Sequence, residues 1–169
     1  GHVVLPGEAV DEYGADTARF FLLNSAEPWQ DFDWRADQVE TVYSQLSRFW
    51  NRAERIIEAE PSTEADLQPI DEWLLSKLQT TVRSTTEALE GFETRTASQA
   101  AFYGFEESLR WYRRRTDLGR PGARYTKREV LRTRLALLAP FVPFIANELH
   151  ERLTGEPASQ WPTVDETLE

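Results

Sequence analysis

The chain has 169 residues and a formal net charge of −10, with 19 basic and 29 acidic side chains. Its apolar and aromatic contents, 40% and 12%, are too high for a disordered chain, and the length suits one domain with its own core. No apolar run approaches the roughly 18 residues of a membrane span, and no secretory signal is visible. Cysteine is absent, which excludes disulfide frameworks, thiolate nucleophiles and cysteine-based zinc sites.

Two features of the composition bear on origin. Only Lys77 and Lys127 are lysines, the other 17 basic residues are arginines, and there is no methionine. Many carboxylates with little lysine predict a halophilic source, because molar salt screens charges within about 3 Å. The alternative is an ordinary acidic cytosolic protein. Since the chain does not begin with methionine, we expect a piece of a longer protein or a processed chain.

Residues 1–34 read as a connector with short helices. Residues 8–13 can form one or two helical turns, and Gly14 is expected to end them as a C-terminal glycine does. Asp16 is the predicted N-cap of a second short helix. Residues 27–34 are predicted to be a loop with aromatic anchors.

Apolar residues at spacings of three and four then indicate four long helices. These are predicted over residues 35–59, 70–92, 95–115 and 127–153. Gly119, Pro121 and Gly122 predict a loop over residues 116–125. No useful period-two alternation appears, so the predicted fold is all-α, an antiparallel four-helix bundle with a short helical lead-in.

Two prolines interrupt the last helical pattern. Pro140 and Pro143 each remove a backbone donor and clash with the preceding turn, which predicts a kink there. The chain is thus divided into a connector (1–34), a helical bundle (35–153) and a C-terminal loop (154–169), which Trp161 is expected to anchor on the bundle.

The sequence lacks the common catalytic and metal-binding patterns. It has no phosphate loop, no nucleophile elbow and no His-Glu-x-x-His. Glu106 and Glu107 are adjacent on a helix and do not converge on one point. His150 is expected at the surface or boundary, because no second ligand lies at helical spacing from it. We therefore assign no catalytic residue and no metal site.

The distribution of charge is more informative. Residues 110–134 hold ten basic and two acidic residues, a net charge of +8, while the remainder carries −18. A local cationic patch on an anionic protein favours contact with a phosphate backbone, which the guanidinium group suits. The candidate residues are Arg110, Arg113, Arg114, Arg115, Arg120, Arg124, Lys127 and Arg128. Composition leaves equally open that these side chains form salt bridges and balance a helix dipole. Trp111 and Tyr112 favour core or boundary positions over base stacking.

Several strings resemble segments of a known family. Residues 10–23, with the core Tyr13-Gly14-Ala15-Asp16 and Arg19, resemble the segment that follows the catalytic Lys-Met-Ser-Lys-Ser loop in class I aminoacyl-tRNA synthetases. Residues 1–4 look like the Gly-Asn-Val-Val tail of that loop, with histidine in place of asparagine.

Other strings resemble the anticodon-binding domain of the same enzymes. These are residues 71–78, residues 138–149 and the Trp-Pro at 161–162. The family usually has histidine where Phe144 stands and glutamate where Asn147 stands. Residues 31–35 and 109–114 look most like archaeal-type leucyl-tRNA synthetases.

The resemblance implies a fragment of a larger enzyme. The parent would use ATP as cofactor, activate leucine and transfer it to tRNA in the cytoplasm. This piece would hold the tRNA through phosphate and shape contacts, with no cofactor of its own and no catalysis alone. Its implied partners are leucine tRNA isoacceptors and the catalytic and editing domains of the parent chain, with no membrane partner, in a monomer.

Two alternatives remain at this stage. A sibling synthetase for isoleucine, valine or methionine would share the fold and differ in the tRNA it serves. An acidic helical-bundle interaction module without an RNA role would use an exposed aromatic face around Trp29 and Trp34.

Overall fold

The computed structural model of the protein describes residues 6–168, and this part of the chain is helical without any β-strand. Its α-helices are α1 (Pro6–Tyr13), α2 (Ala15–Ser25), α3 (Ala36–Glu58), α4 (Pro69–Glu90), α5 (Thr94–Ser98), α6 (Phe105–Arg113), α7 (Pro121–Leu138) and α8 (Pro143–Thr154). A π-helical segment, Gln99–Gly104, joins α5 to α6. The all-α class is confirmed. The predicted loop tail at residues 1–4 lies outside the described residues.

The third predicted helix has the expected extent but an irregular interior. It runs through α5, the π-helical segment and α6 without a break. Inside the π-helical segment, the carbonyl of Phe102 accepts a hydrogen bond of 2.9 Å from Nη2 of Arg134 in α7. Arg134 is only 4% exposed, so a buried cation from another helix supports this segment. The spacing of apolar residues along the sequence does not reveal such a contact between helices.

The single helix predicted over residues 127–153 is wrong, because the structure has two helices there. Residues 139–142 separate α7 from α8. Pro143 is the first residue of α8, where its missing N–H costs nothing and its fixed φ suits the helix. Pro140 lies in the break. A kink within one helix was predicted. Instead, α7 ends before the two prolines and α8 begins at the second of them.

The loop predicted over residues 116–125 is also too long, because α7 begins at Pro121. Gly122 serves a close approach between two backbones. A Cβ added at Gly122 would lie 2.1 Å from the carbonyl oxygen of Asp66, in a short 3-10 turn (Glu64–Asp66). Glycine at this position therefore marks a contact between segments, and it does not mark a loop.

The predicted role of Asp16 as the N-cap of α2 is wrong, since α2 already begins at Ala15. Gly14 has a φ of 82° and its amide donates to the carbonyl of Val10, which confirms it as the glycine that ends α1. The buried carboxylate of Asp16 instead accepts hydrogen bonds from the amides of Phe144 (3.3 Å) and Ile145 (2.6 Å). Asp16 thus caps α8 from another part of the chain.

Buried apolar side chains form two clusters. The larger includes Phe20 from α2, Phe49 from α3 and Leu135 from α7. The smaller lies between α4, α6 and the start of α7 and includes Leu74 and Phe105. The loop that joins α6 to α7 packs against the smaller cluster, so this cluster positions the arginine-rich part of the chain.

The C-terminal segment packs against α4. Nε1 of Trp161 donates a hydrogen bond of 2.9 Å to Oγ1 of Thr86 in α4, as expected for an anchor. The amide of Asp165 donates to the side-chain oxygen of Gln79, also in α4. Both contacts hold the segment against this helix.

Replacing Asp16 with alanine removes the cap of α8, and we expect it to lower the free energy of unfolding by about 1–2 kcal/mol. Asp16→Asn keeps an oxygen acceptor and should cost less. Urea unfolding followed by circular dichroism measures both, with the exposed Glu107→Ala as the control. Equal losses in Asp16→Ala and Glu107→Ala would contradict the capping role.

Candidate nucleic-acid interface

The arginine-rich window, residues 110–134, comprises the end of α6, the loop of residues 114–120 and most of α7. A single buried acidic residue, Asp71 in the first turn of α4, holds this loop in place. Its Oδ2 accepts a hydrogen bond of 2.8 Å from the amide of Gln68, which closes a capping box at the start of α4. Its Oδ1 accepts a hydrogen bond from the hydroxyl of Tyr112 in α6.

Arg120 completes the cluster around Asp71. Its Nη2 lies 2.9 Å from both carboxylate oxygens and 2.9 Å from Oγ1 of Thr116. Burial alone would raise the pKa of Asp71, but the hydrogen bonds from Tyr112, the Gln68 amide and Arg120 together hold that pKa below its usual value. Burial and the neighbouring Asp71 carboxylate raise the pKa of Tyr112, so its hydroxyl remains protonated as a donor.

Four of the eight predicted tRNA-contacting residues form side-chain hydrogen bonds within the protein. Arg120 binds Asp71, Arg124 donates to the carbonyl of Gly119 at 2.7 Å, and Lys127 donates to that of Leu118 at 2.9 Å. Arg128 donates at 3.3 Å to three carbonyls near the ends of α3 and α8, namely those of Ile56, Ile57 and Leu153. Cations at the C-terminal ends of helices are favourable, so Arg128 stabilises the packing of α7 against the ends of α3 and α8.

The other four predicted residues lie at the end of α6 and just after it. Arg110 and Arg114 are exposed, and their guanidinium groups have no hydrogen bond or ion pair with any other residue in the part of the chain that the structure describes. Arg115 is exposed, and its guanidinium carbon lies 4.2 Å from the ring centre of Trp111. Arg113 is partly buried, 3.9 Å from a carboxylate oxygen of Glu106.

The two aromatic residues of this region separate into core and surface. Tyr112 is fully buried, as predicted. Trp111 is 40% exposed and packs on Trp73 with ring centres 4.5 Å apart. The guanidinium of Arg115 and the indole of Trp73 therefore both contact Trp111, which places a cation beside exposed aromatic surface.

Reasoning from sequence missed the charge cluster around Glu106. Its carboxylate pairs with Arg134 (3.1 Å), Arg52 (3.4 Å) and Arg113 (3.9 Å), which come from three different helices. Burial lowers the pKa of Arg134, although Glu106 opposes that change. One signal was available, since Arg134 interrupts the apolar stripe of α7 three residues after Leu131.

The histidine and the two tryptophans considered as functional candidates, His150, Trp29 and Trp34, lie outside the charged clusters described above. Nδ1 of His150 lies 2.6 Å from the carbonyl oxygen of Glu156. Within residues 6–168 no group of histidine and acidic side chains could hold a metal ion, and no helix is long and apolar enough to cross a membrane. Trp34 packs on Phe21 with ring centres 5.1 Å apart, whereas Trp29 is 65% exposed.

The helical fold and the cationic loop agree with a family model described as the anticodon-binding domain of tRNA ligase, which matches residues 71–169. The chain belongs to this anticodon-binding family. The match begins at Asp71, the acidic residue that organises the loop.

Curated relatives extend the similarity to residues before position 71, over almost the whole chain. Leucine–tRNA ligase of Pyrococcus abyssi is 41% identical over a region covering 98% of this chain and 18% of the relative. The enzyme of Methanothrix thermoacetophila is 39% identical, covering 99% and 17%. These relatives confirm the resemblance to archaeal leucine-type synthetases. The chain spans under a fifth of their length.

A solved structure supports the fold of the domain. It is the ternary complex of Agrobacterium radiobacter K84 agnB2 LeuRS with tRNA and LeuAMS. The TM-score is 0.76 at 24% identity, over 98% of this chain and 21% of that one. This similarity shows that the two chains share a fold.

Arg120 and Arg114 should behave differently when each is replaced by glutamine. Arg120→Gln removes the cation that pairs with a buried carboxylate, and we expect a loss of about 3 kcal/mol in the free energy of unfolding. Arg114→Gln removes an exposed cation without a partner and should change it by less than about 0.5 kcal/mol. Urea denaturation gives both values, and similar losses would refute the assignment.

Stability should also depend on Asp71 at acid pH. Because the folded state lowers its pKa, the stability that its ionisation contributes is present above the unfolded pKa of about 3.9 and is lost as pH falls through the folded pKa. Asp71→Asn should therefore lose stability less steeply than the wild type between about pH 5 and pH 2. Urea unfolding at stepped pH measures the two slopes; Glu27, whose pKa is also lowered, contributes to both.

Proposed function

We propose that the chain is the tRNA-binding part of a leucine–tRNA ligase. The observation that carries this is the 41% identity to the Pyrococcus abyssi enzyme along 98% of the chain. The relatives named above are leucine enzymes, so a sibling synthetase is not favoured. A protein-interaction module is not favoured either. It would need an exposed aromatic face around Trp29 and Trp34, but Trp34 packs on Phe21 inside the protein, and of the two only Trp29 is exposed.

The parent enzyme uses ATP to activate leucine and transfers it to leucine tRNA isoacceptors in the cytoplasm. This chain supplies binding and orientation, and its neighbours are the catalytic and editing domains of the same parent, which acts as a monomer. A halophilic source accounts for the net charge of −10 and the two lysines.

The tRNA backbone binds at the end of α6. Arg110 and Arg114 have exposed guanidinium groups without partners in the described chain, and the exposed Arg115 directly follows Arg114. Such groups bind phosphates without first breaking an internal salt bridge. Phosphate contacts fix the orientation of the RNA and read no bases, which suits a domain that positions the acceptor end for chemistry elsewhere.

Elsewhere the surface repels RNA. The chain outside residues 110–134 carries a net charge of −18. Like charges on the phosphate backbone and on this surface disfavour other docking orientations. The contrast between the cationic end and the acidic remainder thus orients the RNA on the domain.

Reversing Arg110, Arg114 and Arg115 to glutamate should flatten the salt dependence of tRNA binding. Each lost phosphate contact lowers the slope of log K against log salt by about 0.7–0.9. Fluorescence anisotropy with a labelled leucine tRNA transcript, across a series of KCl concentrations, measures the slope. The variant should show a slope shallower by about 2 if all three residues make contacts.

A matched variant controls for the change in net charge. Arg35, Arg48 and Lys77 are exposed cations outside the window, and reversing them changes the charge equally. The slope of this control should stay close to that of the wild type. If both variants share one slope, binding follows net charge alone and the arginines of α6 have no specific role.

A further inference from the structure

A cavity of about 400 Å³ lies between α3, α6 and α7. Its apolar wall includes Ala53 and Ile56 from α3, Leu109 from α6, Leu118 from the loop and Val130 from α7. A cavity of this size can hold a small organic group. The end of α6 forms part of its wall, so the cavity adjoins the cationic surface described above.

Positive charge dominates the polar part of this wall. Four arginines and a lysine line the cavity, and Glu106 is the acidic residue among its lining side chains. The cationic residues are Arg52, Arg55, Arg113, Lys127 and Arg134. They come from three helices that meet only in the folded chain, so this arrangement is invisible as a run in the sequence.

One carboxylate cannot neutralise these cations. Glu106 pairs with Arg52, Arg113 and Arg134 at once, and Arg55 is exposed without a partner in the described chain. The wall thus retains net positive charge beside an apolar surface, which is the environment of a bound anion.

We propose that this cavity binds one nucleotide of the tRNA, with the phosphate against the cations of α3, α6 and α7 and the base against the apolar wall. The inference rests on the proposed function and adds a defined site to it. Guanidinium groups suit phosphate oxygens, and the flat, mostly apolar faces of a base suit a wall of aliphatic side chains.

The shape of the cavity favours a nucleotide over an acidic peptide. A glutamate side chain places one carboxylate on a short stem and leaves most of a 400 Å³ space unfilled. A nucleotide fills both parts, because it carries a charged end and a planar body. An unpaired nucleotide of a folded RNA is available for such insertion.

The test is a titration of the ¹⁵N-labelled chain followed by its amide NMR spectrum, at the lowest KCl that keeps the spectrum folded. The probes are the four nucleoside 5′-monophosphates, the matching nucleosides, inorganic phosphate and tetraglutamate. We expect at least one monophosphate to shift the amides of Ala53, Ile56 and Leu118 with a Kd of about 1 mM. Its nucleoside and inorganic phosphate should each bind at least about fivefold more weakly.

The double variant Arg52→Gln/Lys127→Gln removes two cations of the cavity and should weaken binding of that monophosphate about tenfold. Arg48→Gln/Lys77→Gln removes two exposed cations that do not line the cavity and should leave the Kd within about twofold. A leucine tRNA transcript added to the loaded protein should displace the monophosphate and reverse its NMR shifts.

The outcomes separate the cavity from the proposed function. If no monophosphate shifts these amides at about 10 mM while tRNA still binds, the cavity inference fails and the proposed function stands. If a monophosphate binds and tRNA does not, the proposed function fails, and the cavity takes free nucleotides only. Retention of the monophosphate in the tRNA complex also overturns the tRNA source, and tetraglutamate binding as tightly as the monophosphate would make this a carboxylate site.

Discussion

The buried carboxylate of Asp71 joins three parts of this domain that are far apart in sequence. It closes the capping box of α4 with Gln68, accepts a hydrogen bond from Tyr112 of α6, and binds Arg120 just before α7. A buried charge is tolerated only where partners surround it, so these contacts must form together. The loop between α6 and α7 is therefore held at both of its ends by one acidic side chain.

This constraint divides the arginines into two groups. Arg120 and Arg128 donate hydrogen bonds inside the protein, Arg120 to a carboxylate and Arg128 to carbonyls at the ends of helices. Arg110 and Arg114 project from the end of α6 without such partners in the described chain. The same residue type thus stabilises the fold in one place and presents charge in another, and the difference is set by where buried acceptors lie.

The second charge centre, Glu106, differs from Asp71 in the balance between the carboxylate and the groups around it. Asp71 is surrounded by enough donors to satisfy it, whereas Glu106 is one carboxylate among several cations. A satisfied centre gives rigidity, and an unbalanced one leaves an attraction for anions. The two centres are linked through α6, since Tyr112 contacts Asp71 and Arg113 contacts Glu106. Rigid packing and anion attraction are thereby built into neighbouring residues.

The sequence by itself determined the helical class, the extents of α3 and α4 to within two residues, the presence of a loop after α6 and the family, because apolar spacing, proline, glycine and short strings are local features. It also determined that positive charge is concentrated in one window. Only the tertiary structure decided that Asp16 caps α8, that Arg134 supports a π-helical segment, and which arginines are free. The physical reason is that a charge or a hydrogen bond depends on atoms within a few ångströms. Folding supplies those atoms from distant parts of the chain.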